Sequence, residues 1–129
     1  MKVLILAFLA LVCIASTGKN DKEENVRYIL IEAACKPGFD ALNDYNEKVI
    51  LSKVFKKEFE NAFDIVNAEP KLIIDFEVAL EKAYPNQRNQ IKDILVYMLN
   101  TEKEAKELHN RKRKLFDTLD KGVIELKVE

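Results

Sequence analysis

The sequence predicts an all-α protein: a small bundle of four to five antiparallel helices ending in a short extended C-terminal tail. Three observations carry that expectation. Gly and Pro number only three each among 129 residues, a third of the chain is charged, and apolar residues recur mostly at spacings of three and four. A sheet protein ordinarily uses more turn chemistry than this.

Before the first element lies a leader. Lys2 precedes an uncharged run from Val3 to Ala15, closed by the small residues Ala15, Ser16, Thr17 and Gly18. The run is shorter than the roughly 20 residues a bilayer-crossing helix needs, so residues 1–18 read as a cleaved secretory signal peptide and no membrane span is expected. Cleavage after Ala15 or after Gly18 both fit. Residues 19–129 then form a single helical domain of a size that buries a core without disulfide staples.

The first helix follows a polar lead from Lys19 to Asn25, with Val26, Ile29, Leu30 and Ala33 on one face and Tyr28, Ile31, Ala34 and Cys35 on a second, and Pro37-Gly38 stops it. A second segment runs from about Asp40 to Ala68 through Leu42, Tyr45, Val49, Leu51, Phe55, Phe59, Phe63 and Val66, with Asn43-Asp44 and Asn46 as weak points near its start. Pro70 suits a first helical position and opens a helix over Leu72, Ile73, Phe76, Leu80 and Ala83, which Pro85 closes. Asn86 then caps a last stretch in which Ile91, Ile94, Leu95, Met98, Ala105, Leu108, Leu115 and Leu119 mark a stripe. Thr101 and Glu104 match a capping box, which leaves open one continuous helix or two bent at Asn100. Gly122 ends the helix. The tail Val123–Glu129 alternates, but a single strand needs a partner, so a packed extended tail is expected.

Charge nominates no polyanion. Loss of Lys2 leaves 20 basic residues against 22 acidic, which fits neither nucleic-acid binding nor a cationic membrane-lytic mode. Dinucleotide and phosphate-loop glycine patterns, CxxC, HExxH, calcium-loop and nucleophile-elbow motifs are all absent. His109 is the only histidine, and Cys35 and Ser52 are the only nucleophilic thiol and serine beyond the leader. Catalysis, cofactors and metals are therefore not expected.

Three features remain as candidate sites. Arg111, Lys112, Arg113 and Lys114 form the densest cationic run, a candidate basic binding patch diluted by nearby acids and by helical geometry. Phe55, Phe59 and Phe63 repeat every fourth residue, as a helical core stripe or as the lining of an apolar cavity. With Cys13 lost in the leader, Cys35 has no partner within the remaining chain and is either buried or the site of an intermolecular disulfide, so the protein is expected as a monomer or a Cys35-linked dimer. The functional expectation is a secreted, extracellular, non-catalytic protein that binds a signalling, immune or effector partner. The alternative is an extracellular carrier of a small apolar ligand held within the bundle.

Overall fold

The computed structural model describes residues 24–39 and 47–129. The leader assigned to residues 1–18, together with Leu42, Asn43-Asp44, Tyr45 and Asn46, lies outside the described residues. Of those described, 41% are helical and 33% are in strands. The fold is mixed α/β, with a five-stranded curled sheet, and not the all-α helical bundle expected from the sequence.

The strands are β1 (Val26–Cys35), β2 (Lys48–Ser52), β3 (Phe55–Glu58), β4 (Ile91–Leu99) and β5 (Gly122–Leu126). The helices are α1 (Ala62–Val66), α2 (Glu69–Ala83) and α3 (Glu102–Thr118). β1 is central: β2 and β3 pair antiparallel along one of its edges, β4 pairs antiparallel along the other, and β5 adds parallel to β2. The break between β2 and β3 is sealed by Ser52, whose fully buried hydroxyl accepts the Ile31 N–H at 2.8 Å.

Both long connections join parallel strands, and they cross the sheet in opposite directions. A common hand for such crossovers therefore puts α2 on one face and α3 on the other. Side chains sort accordingly. Ile29, Ile31, Ala33 and Cys35 of β1 join Ile50, Ile124 and Leu126 beneath Leu72, Phe76 and Leu80 of α2. On the opposite face Val49, Leu51 and Val123 meet Phe116 of α3.

That covering explains why β1 resembles a helix in sequence. A strand buried on both faces carries apolar residues at odd and even positions alike, and this run matches a multiply buried helix as well as a strand. The last stretch read as helix instead holds β4, whose Ile94, Leu95 and Met98 fall at helical spacing although no β4 residue is fully buried. The segment 40–68 is likewise not one helix: it holds β2, β3 and the five-residue α1. The helix opened by Pro70 is present as α2, with Pro in its first turn. Thr101 caps α3, its hydroxyl accepting the Glu104 N–H at 3.1 Å and donating to the Glu104 carboxylate at 3.1 Å. Asn86, expected as an N-cap, instead sits at φ 65° in the turn after α2. The end of α3 is set by Asp120 and not by Gly122. Asp120 adopts φ 56°, its N–H reaches Asp117 O, and the Lys121 N–H reaches Phe116 O, a Schellman closure. The expected unpaired tail is β5, which finds its partner in β2 from far upstream.

Candidate functional site

The chain's candidate site is a surface groove of about 510 Å³ between α2 and the outer edge of β5. Its helical wall is Asp75, Val78, Ala79, Lys82 and Ala83, its end is Tyr84, and its strand wall runs from Glu125 to Lys127 with Glu129. The sequence builds this wall simply. Leu72, Phe76 and Leu80 turn into the core, which leaves the next helical row facing sideways over β5. Alanine at 79 and 83 keeps that row low, and Val78 and Ile74 stand half exposed, at 50% and 51%.

Backbone geometry defines the groove's other resource. The Gly122 N–H donates to Glu47 O and the Lys53 N–H to Leu126 O, so the even residues of β5 spend their peptide groups on β2. Alternation in a parallel ladder then turns the N–H and C=O groups of Val123, Glu125 and Lys127 outward. Among the described residues no strand pairs with that edge. The rim acids are each matched by a cation: Asp75 with Lys71, Glu125 with Arg113 at 3.0 Å, Glu129 with Lys127 at 3.9 Å. Among the described residues Lys82 has no such carboxylate, and the groove keeps one uncompensated positive charge.

The basic run is divided by the fold. Lys112 points at the sheet, 2.7 Å from Glu32 Oε1 and 4.7 Å from the centre of the Tyr97 ring. Its approach lies off the hydrogen-bonding directions of Glu32 Oε1, so the contact is an ion pair between two largely buried side chains. Burial lowers the Lys112 pKa, but Glu32 and Tyr97 outweigh it and the net displacement is upward. Arg113 is taken up by Glu125, while Arg111 and Lys114 are exposed. The four cations do not share one face.

Phe55 lies in β3 and Phe59 just beyond it, both packed against the α2-side core. Phe63 sits on α1 with 74% of its surface exposed. The three rings are on different elements and form no helical row. Cys35 is buried in the α2-side core, where desolvation pushes its thiol up to about 11 against the milder opposing pull of Lys48 and Lys92. An exposed intermolecular thiol is not what this position offers. Cys35 and Ser52 both lie on the α2 side of the sheet, with His109 on α3 across it, so neither nucleophile is placed with the imidazole. Among the described residues no group of three or more His, Cys, Asp or Glu gathers as a metal site, and no helix is long and apolar enough to cross a membrane.

Two features escaped the sequence reading. Lys48 is buried inside β2 and donates to Phe39 O at 2.8 Å, and the groove itself depends on which strand α2 flanks. No local pattern signals either one. Protein-family models, curated proteins and solved structures contain no match to this chain.

Proposed function

We propose that this chain is an exported, non-catalytic binding protein that holds an extended apolar segment of an extracellular partner protein in the groove between α2 and β5. The observation that carries the reading is the edge of β5, unpaired among the described residues, lying directly beside an apolar trough. An added strand would satisfy the outward peptide groups of Val123, Glu125 and Lys127, and its alternate side chains would fall against Val78, Ala79 and Ala83. Main-chain bonds supply affinity in such recognition, and the trough supplies selection. Lys82 adds a preference for an acidic side chain or a C-terminal carboxylate at its end of the segment. Export rests on the cationic and apolar leader.

Selection from a randomised peptide display library on the immobilised chain tests the proposal. The expected peptides alternate apolar residues and carry one acid. Val78→Arg should weaken them at least about tenfold, a loss of roughly 1.4 kcal/mol or more, and Lys82→Glu should remove the acid preference. Peptides that bind both variants as tightly as the parent would refute the assignment to this groove.

A further inference from the structure

We propose that β4 is the interface of a twofold symmetric homodimer, in which two copies pair antiparallel through their outer edges with the axis at Val96. The backbone directions establish which groups are available. Asn25 O accepts the Phe59 N–H and the Ile31 N–H reaches Ser52, so odd residues of β1 face β2 and β3. Even residues of β1 therefore face β4, and the pairs Leu30–Tyr97, Glu32–Leu95 and Ala34–Asp93 exchange the ladder bonds. Ile94, Val96 and Met98 are left with their N–H and C=O groups pointing away from the sheet. Among the described residues nothing pairs with them.

This edge is bounded at both ends. Ala34 pairs with Asp93 but Cys35 with Ile91, so Lys92 is an extra residue that breaks the regular run, and the chain turns at Asn100 into α3. Between them the sequence Ile94-Leu95-Val96-Tyr97-Met98-Leu99 holds no charge, no Pro and no Gly. Open edges ordinarily carry such residues to prevent pairing.

A second copy is the occupant that fits, because it brings to this edge an identical uncharged run of the same bounded length, centred on Val96. Antiparallel self-pairing on that axis sets Ile94 against the second copy's Met98 and Val96 against its counterpart, so every outward peptide group finds a partner. On the same alignment Leu95, 48% exposed in the single chain, lies beside the second copy's Tyr97. The contact closes on itself and leaves the β5 groove of each copy free, at the far edges of a continuous sheet.

Sedimentation equilibrium of the purified chain should give twice the monomer mass, and Leu95→Arg, at a half-exposed position, should halve it while the circular dichroism spectrum is unchanged. Register is read by single cysteines in a Cys13→Ser, Cys35→Ser background. Val96→Cys should oxidise to a linked dimer, because a residue on the axis meets its own copy at about 5.5 Å between Cα atoms. Ile94→Cys should not. A parent chain that stays monomeric through hundreds of micromolar, or a dimer that survives Leu95→Arg and crosslinks through Ile94→Cys, would overturn the proposal.

Discussion

Lys112 shows how a single residue changes meaning between sequence and structure. Within Arg111–Lys114 it reads as one more surface cation, yet it is the member that α3 turns toward the sheet, where Glu32 waits on the central strand. Removing one partner of a largely buried pair strands the other charge, so Lys112→Ala should lower stability by about 2 to 3 kcal/mol, near the lower end for such pairs because both groups keep some water contact. Glu32→Leu with Lys112→Met should recover most of that, and urea unfolding of the single and double variants checks it. The pH dependence has a definite sign. Because the folded pKa of Lys112 lies above the ordinary 10.5, its contribution is complete below that value and is lost as pH rises through the folded one, so melting temperature should fall in strong alkali and the Lys112→Met, Glu32→Leu variant should fall less. Cys35 makes a second residue-level prediction. A thiol held near 11 carries about a hundredfold less thiolate than an ordinary cysteine at neutral pH, so a disulfide-exchange reagent should modify it only as fast as the chain unfolds, and non-reducing electrophoresis of the purified protein should show no Cys35-linked species.

Elements were legible where local chemistry fixes them. Pro70 in the first turn of α2 and the Thr101–Glu104 box of α3 depend only on residues three or four apart; α2 begins where the sequence places it, and α3 begins at the box that the sequence offered as one of two alternatives, with a strand and not a helix before it. β1 was not legible as a strand, because a doubly covered strand loses the alternation that distinguishes it from a helix; Val26, Ile29, Leu30 and Ala33 match a helical face by accident of burial, while β4 was hidden by Ile94, Leu95 and Met98 at helical spacing. The apparent row of Phe55, Phe59 and Phe63 failed because its period of four has meaning only on one continuous helix, whereas β3 ends at Glu58 and Phe63 lies on α1. Two substitutions test the assigned elements by contrast. Phe76→Ala, at a fully buried ring in the middle of α2, should cost about 3 to 5 kcal/mol, whereas Phe63→Ala on exposed α1 should change stability by less than about 0.5 kcal/mol. Asp120→Gly should raise stability by up to about 1 kcal/mol by relieving a left-handed backbone at the end of α3. Denaturant midpoints of the three variants decide these together.

The whole molecule was the least legible scale, because its decisive pairing joins Lys48–Ser52 to Gly122–Leu126 across most of the chain. The alternation of the last residues was visible, but its partner was hidden inside a segment that reads as helix. Without β5 in the sheet there is no edge beside α2 and no groove, so the candidate site could not be read from motifs; it is made by topology. Of the edges left unpaired among the described residues, β4 carries the uncharged run that our proposal matches with a second copy, while β5, bordered by Glu125, Lys127 and the trough under Val78, is the one proposed to take a foreign strand. The most direct measurement of the central claim is amide hydrogen exchange by nuclear magnetic resonance, with and without a peptide selected on the chain. Strand addition at β5 predicts new protection at the outward amides of Val123, Glu125 and Lys127, with shifts along Val78, Lys82 and Ala83, while Gly122, Ile124 and Leu126 are already protected in the free protein. Protection that leaves those three outward amides untouched and gathers instead at Phe63 and Val66 or at Leu115 and Leu119 would contradict it.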